Sequence, residues 1–307
     1  MKPDFDLLVA GEINPDLILN GAFNLAFGQA EALLDNAALT IGSSSVIFAC
    51  GAARLGLKTA FAGLCGDDLW GQFMLAEMHK HQIDTSFVKV IPGGQTGLSV
   101  ILNRGEDRMI LTHPGLIPAF RAEDVRDEML ARARHLHVAG YYLQDGLRPG
   151  CLELFKRAKT LGLSTSLDTN YDPSEAWLGV QKLLAYTDIF LPNEKEACSL
   201  TGSAQPEHAL QRLSAEGRLV VMKCGAQGAR LSTGETRLET GAIPVKLVDT
   251  VGAGDSFDAG FVYGYLNGWP LPKCLRLAAV CGGLSTQAPG GTAGQPSLIE
   301  AGAYLEG

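Results

Sequence analysis

Apolar positions along this chain recur in short runs that switch between a strand period and a helix period. Phe5 to Gly11 is a mostly apolar run closed by Glu12 and reads as a buried strand. Ser43 to Leu55 is rich in small residues and reads as a helix opened by Gly42 and by serines, which cap well. Lys58 to Gly63 reads as a strand and Leu69 to His81 as an amphipathic helix. Thr96 to Leu102 and Arg108 to His113 flank Asn103-Arg104-Gly105-Glu106 in the pattern of a β-hairpin. Residues 12–41 are mixed and predict no clean helix.

From residue 122 the two periods alternate. Helices are predicted at Ala122–Ala133, Arg148–Leu161, Pro173–Ala185, Glu194–Leu200 and Pro206–Glu216. Strands are predicted between them at His135–Ala139, Ser164–Asp168, Asp188–Leu191 and Leu219–Lys223. Short strands follow at Ala229–Ser232, Thr236–Glu239 and Val245–Val248, then small-residue helices at Asp255–Asn267 and Leu271–Thr286. Such alternation implies an α/β fold, a parallel sheet covered by helices on both faces. No linker, charge run or internal repeat divides the 307 residues. A single domain, 1–307, is expected, with small β insertions at 12–41 and 92–113. Ligands in open α/β sheets sit beyond the carboxyl ends of the strands. That rule selects Asp168, Asn193, Lys223 and Asp249.

Composition narrows the class. Hydrophobic residues make up 46%, too many for a disordered chain. The formal net charge of −8 argues against an electrostatically driven nucleic-acid binder. No apolar stretch approaches the roughly 18 residues of a membrane span, and the run Leu7–Gly11 predicts a strand and not a signal peptide. The seven cysteines are odd in number, lack a CxxC and sit mostly in apolar runs, as expected of reduced thiols in a cytoplasmic protein. Glycine is unevenly spread: 6 fall in 42–71 and 14 in 225–294, but only 6 in the longer stretch 106–201. Two regions therefore need close backbone approach or positive φ.

The densest chemistry lies at Asp249-Thr250-Val251-Gly252-Ala253-Gly254-Asp255-Ser256-Phe257-Asp258. A predicted strand ends before it and a helix begins within it. Backbone N–H groups at such a turn converge at the positive end of a helix dipole and suit a phosphate or a developing oxyanion. Asp255 in the same turn is placed to take a proton from a substrate hydroxyl. The alternative is that Gly252 and Gly254 only make a tight turn and Asp255 only caps the helix.

Here the sequence resembles the ribokinase, or PfkB, family of carbohydrate kinases. DTVGAGDSFDAGF matches the family's C-terminal signature at nearly every position. A second match runs from Gly42 through Ala53-Arg54-Leu55-Gly56 to Gly63-Leu64-Cys65-Gly66-Asp67-Asp68. A third is Asn193-Glu194-Lys195-Glu196, the family's N-x-x-E. The resemblance covers roughly residues 5 to 300 and implies a ribokinase-like three-layer α/β/α sandwich with a mainly parallel central sheet and a small β-sheet lid.

It also implies roles. Asp255 would be the catalytic base, and Gly252, Ala253 and Gly254 with the Asp255 N–H would form the anion hole for the transferring phosphoryl group of ATP. Asn193 and Glu196 would organise Mg²⁺ and its waters; their alternative is a helix capping box. Lys223, Gly225 and Gly228 would border the nucleotide, with Lys223 either reaching a phosphate or standing solvated at a strand end. Leu275–Thr286 and Ala288–Gly294 would frame the adenine. No GxxxxGK[ST] occurs, so a Walker-type site is excluded. Asp249, Val251 and the loop Pro289–Thr292 stand where relatives hold a monovalent cation such as K⁺. Asp16 would hold sugar hydroxyls, and Gly42 and Ser43 would let the sugar approach.

Two departures bear on the acceptor. Ile47 stands where the family usually has an acceptor-binding Asn, and cannot hydrogen-bond a hydroxyl. After Asp168-Thr169-Asn170, Asp172 stands where an Arg is often found, leaving Lys223 or Arg104 as sources of positive charge. The reaction class is expected to survive with an unusual acceptor, a sugar or, alternatively, a nucleoside. A non-catalytic binding protein on the same fold is the reading of another class. A dinucleotide oxidoreductase lacks its GxGxxG. Phe23, Phe27 and Ile41 are apolar for a lid and motivate a homodimer through it. The HxH pairs His79/His81 and His135/His137 lack further ligands nearby, so zinc is not expected.

Overall fold

The computed structural model describes residues 3–21, 28–29, 31–104, 107–215 and 217–305. The first part of the chain runs β1 (Leu7–Ala10), β2 (Pro15–Asn20), β3 (Asn36–Ile41), α1 (Ser44–Leu55), β4 (Thr59–Gly66), α2 (Leu69–Lys80) and β5 (Asp84–Ile91). Then come β6 (Leu98–Arg104), β7 (Asp107–His113), α3 (Asp127–Leu130), β8 (His135–Val138), α4 (Cys151–Thr160) and β9 (Ser164–Leu167). The next stretch holds α5 (Val180–Leu184), β10 (Ile189–Phe190), α6 (Glu194–Thr201), α7 (Pro206–Ser214) and β11 (Leu219–Lys223). The last elements are β12 (Ala229–Ser232), β13 (Arg237–Thr240), α8 (Ala253–Leu266), α9 (Leu271–Ser285) and α10 (Leu298–Gly302).

The large sheet has the order β13-β12-β11-β10-β9-β8-β1-β4-β5. Its strands pair in parallel from β11 to β5, and β12 and β13 add antiparallel at one edge. Strand alternation divides the core in two. Leu8 and Ala10 of β1 pack with Leu154, Phe155, Leu183 and Leu210 of α4, α5 and α7. Leu7 and Val9 face the other way, toward Phe48 of α1, Met74 of α2 and Phe261 of α8. The result is the three-layer α/β/α sandwich. A second sheet, β3-β2-β6-β7, is formed by the two insertions and makes the lid. Among the described residues no helix is long and apolar enough to cross a membrane.

His135 and His137 project from β8 into the layer of α1 and α8. Ser166 Oγ lies 2.7 Å from both His135 Nε2 and His137 Nδ1, and the His137 ring stacks on Phe48 with centroids 3.6 Å apart. The seven cysteines are free.

Several predicted elements change. The helix expected at Ala122–Ala133 is a short 3-10 turn and the single turn α3, because Val125 is extended and the Arg157 guanidinium takes the carbonyls of Ala122 and Val125. The helix expected at Pro173–Ala185 shrinks to α5. Asp172 collects the N–H groups of Ser174 and Trp177 in a turn, and Glu175 and Trp177 adopt positive φ. Val245–Val248 forms no ladder; Val248 and Asp249 donate instead to Thr286 O. The edge strand β5 has no clean alternation in its burial and was missed for that reason. Ile41 is buried in the core rather than facing out of the lid. Phe23 and Phe27 lie outside the described residues.

Candidate active site

The carboxyl ends of β1, β9, β10 and β11, the start of α8 and the underside of the lid enclose a cleft of about 1100 Å³. Asp16, Ser43, Asn193, Glu196, Lys223, Gly225, Val251, Gly252, Gly254 and Asp255 all line it. These residues are drawn from positions 16 to 255, and the parallel topology brings them together.

The turn at the start of α8 is shaped by Gly252, whose φ of 70° is left-handed. A Cβ there would stand 2.7 Å from Gly291 Cα and 2.8 Å from Ile47 Cγ2. Ile47 therefore serves as the wall against which the turn packs. The Ala253 N–H already donates to Thr250 O at 3.3 Å, and Ser256 N–H closes the first helical bond on Gly252 O. Helix geometry leaves the Gly254 and Asp255 N–H groups without an intrahelical acceptor. Of the expected donors Gly252, Ala253, Gly254 and Asp255, the Ala253 N–H is thus already engaged within the turn. Asp255 is buried, and its carboxyl is pushed well above the ordinary range by burial and then by Asp168; Lys223 opposes this, Glu12 adds to it, and a hydrogen bond from Ser44 opposes it.

Lys223 is neither solvated nor at large. Its ammonium pairs with Asp168 at 2.7 Å and with Asp258 at 3.2 Å. Asn193 and Glu196 form a full capping box at α6: Asn193 Oδ1 accepts from Glu196 N–H and Glu196 Oε2 accepts from Asn193 N–H, each at 2.9 Å. Both side chains also line the cleft, so capping and metal binding are compatible here. Burial, then Asp168, pushes the Glu196 carboxyl up to about 7. Among the described residues no group of three or more His, Cys, Asp or Glu forms a direct metal cage. The hard oxygens at 193 and 196 suit an ion that keeps its waters, as Mg²⁺ does.

Asp249 ties two loops together, accepting from Val251 N–H at 3.0 Å and from Gly290 N–H at 2.8 Å. Gly225 has φ of 54° and open space over its backbone, whereas a Cβ on Gly228 would stand 2.0 Å from Thr240 O. Gly228 is thus a packing glycine at the β13 edge. None of residues 275–294 lines this cleft. At the other end, a Cβ on Gly42 would stand 2.2 Å from Asp16 Oδ1, so that glycine makes room for Asp16. Burial, then Asp249 and Glu12, raises the Asp16 carboxyl to about 7. Ser43 has φ of 67° and spends its hydroxyl on Glu12 and on capping α1.

Glu12, Asn14, Ser99 and Arg148 also line the cleft and were not singled out from sequence. Glu12 follows β1 directly, so the strand-end rule that selected Asp168 would have found it. Arg148, paired with Asp145 at 2.9 Å, lines the cleft, whereas Arg104 stands at the end of β6 outside the lining. Asp172 is occupied by its own turn.

A cleft at the carboxyl edge of a parallel sheet, roofed by a β lid, with a buried carboxylate at a glycine turn, defines a phosphotransferase of the ribokinase-like class. The profile of pfkB family carbohydrate kinases matches residues 8–298, and this chain belongs to that family. An uncharacterized sugar kinase of Archaeoglobus fulgidus is 29% identical over 251 residues, 81% of this chain and 100% of its own. The 2-dehydro-3-deoxygluconokinase of Bacillus subtilis is 30% identical over 274 residues, 84% of each chain. An E. coli protein crystallised with ATP and Mg²⁺, under the provisional name ribokinase II, has a TM-score of 0.86 at 22% identity over 98% of this chain and 99% of its own. The protein is an ATP-dependent carbohydrate kinase with a hydroxyl acceptor.

Proposed function

We propose that Asp255 is the base that takes the proton from a sugar hydroxyl, and that the N–H groups of Gly254 and Asp255 receive the phosphoryl oxygens. The observation that carries this reading is a buried carboxylate in the same helical turn as two N–H groups without intrahelical acceptors, at the floor of the cleft. Phosphoryl transfer depends mainly on positioning and charge stabilisation, which such a turn supplies. Asp16 and Asn14 hold the acceptor hydroxyls from the lid side. Asn193 and Glu196 would hold Mg²⁺ through its waters, which would supply charge neutralisation at the phosphates. Gly225 gives the nucleotide an open stretch of backbone. Asp249 and Val251 would hold a monovalent cation beside the two loops that Asp249 joins, and activity in K⁺ above that in tetramethylammonium is the expected result.

The acceptor is a sugar or sugar-like polyol. A nucleoside is the second reading, favoured by apolar residues that line the cleft, Ile101 and Ile110 of the lid with Ile117 and Pro118 of the segment after it. ADP release over a panel of sugars and nucleosides separates the two. Asp255→Asn on the best acceptor is expected to lose at least about 10²-fold in kcat; a variant that keeps most of its activity overturns the base assignment.

A further inference from the structure

Lys223 ends β11 at the floor of the cleft, and its ammonium has three N–H groups to place. Asp168 Oδ2 lies 2.7 Å away, and the two oxygens of Asp258 lie at 3.3 and 3.2 Å. Acceptors are thus available for all three. Both carboxylates are almost sealed, at 2% and 1% side-chain exposure, and Lys223 is at 13%. Asp168 closes from the end of β9 and Asp258 from α8, three residues beyond Asp255 and on the same face. The lysine stem runs under the glycine turn: a Cβ on Gly254 would stand 3.6 Å from its Nζ and 3.7 Å from its Cδ.

The groups that face Asp255 are Asp168 beyond β9, Glu12 beyond β1, Asp258 on its own helix, Lys223 of β11 and the Ser44 hydroxyl of α1. Glu196 of α6 faces Asp168 and Lys223 in turn. Among the described residues Lys223 is the one cation in this set. A carboxylate surrounded by carboxylates in a desolvated site takes up a proton, and a protonated Asp255 cannot act as a base. A fixed cation opposes that.

We propose that Lys223 is a positioning residue: clamped by Asp168 and Asp258 beneath the α8 turn, its ammonium opposes protonation of the Asp255 carboxylate and is not a phosphate ligand. The proposal rests on Asp255 acting as the base. It assigns opposite signs to two substitutions. Lys223→Met removes the cation and moves the acid limb of kcat/KM for the acceptor up by about one pH unit or more. Asp168→Asn removes a facing anion and moves the limb down. A purely structural disturbance would not split the two in sign.

The test measures the pH profiles of both variants and of Lys223→Arg, with ATP affinity by calorimetry. Lys223→Arg keeps the charge and is expected to hold the limb near its original position. ATP Kd in Lys223→Met is expected to stay within about threefold. An unmoved limb, shifts of one sign in both variants, or a loss of about tenfold or more in ATP affinity for Lys223→Met overturns the proposal. Should Lys223→Met fail to fold, Asp168→Asn decides, and a limb that stays or rises overturns it. Retained activity in Asp255→Asn overturns the base reading and this proposal together. Loss of activity in Asp255→Asn with an unmoved limb in Lys223→Met overturns the proposal alone.

Discussion

Gly252 is confined on two sides, by Gly291 and by Ile47, and its φ is left-handed. An alanine there meets both walls and a backbone conformation that L-residues resist, at a cost of about 1–3 kcal/mol. Gly252→Ala is expected to lower the thermal midpoint and to reduce kcat more than it raises KM for ATP, because the misplaced group is the donor turn. A raised KM for ATP with kcat unchanged would relocate the turn's role to ground-state binding. Asp16 yields a pH prediction. Its carboxyl titrates near 7, raised by burial, then Asp249 and Glu12, so it becomes an ionised double acceptor only as pH rises through that value. Acceptor KM is therefore expected to fall between about pH 6 and pH 8, and Asp16→Asn to flatten that trend. Steady-state KM measured across this range at saturating ATP checks it.

The start of α6 combines a capping box with a place in the cleft lining. Glu196→Gln retains an oxygen for the Asn193 N–H but loses the acceptor of Asn193 Nδ2, so stability should fall by about 0.5–1.5 kcal/mol, while the Mg²⁺ needed for half activity rises severalfold. Asn193→Ala loses the cap and should cost about 1 kcal/mol as well. Melting curves beside Mg²⁺ titrations separate the two effects. The same element illustrates what the chain discloses locally. A capping box, a glycine turn and a strand period are written in neighbouring residues, and α1, α2, α6, α8, α9 and most central strands could be read directly. The broken helices could not, because their causes come from elsewhere: Arg157 reaches back to the carbonyls of Ala122 and Val125, and Asp172 diverts Ser174 and Trp177 into a turn. At the site, Asp255 and Asn193 were legible from motifs. The clamp on Lys223 was not, since Asp168 and Asp258 come from a loop beyond β9 and from a helix that only the folded sheet brings together.

The whole molecule arranges its glycine turn, its lid and its two cores around one central sheet, so local substitutions at the cleft edge and global stability are read by the same assays. Legibility at this scale was high for the layers and the lid, both of which follow from alternation and from the two insertions. It was low for the lid's contacts, because Ile41 turned inward to the core. One feature of the core reaches beyond the cleft. His135 and His137 are buried as neutral rings joined by Ser166; burial holds His135 down at about 3, and burial with its neighbours His135 and Lys223 holds His137 well below the usual imidazole range. The unfolded chain protonates both near the ordinary value and the native chain does not, so the native state binds fewer protons throughout that window. The stability is present above about pH 6.5 and declines as acid is added, with a slope approaching about 2.7 kcal/mol per pH unit near pH 5 from this pair. Acid inactivation should accordingly come in two forms: a rapid loss that reverses at once on neutralisation, from Asp255, and a slower loss with cooperative heat absorption and net proton uptake, from the imidazoles. His137→Phe should remove part of the second and leave the first in place.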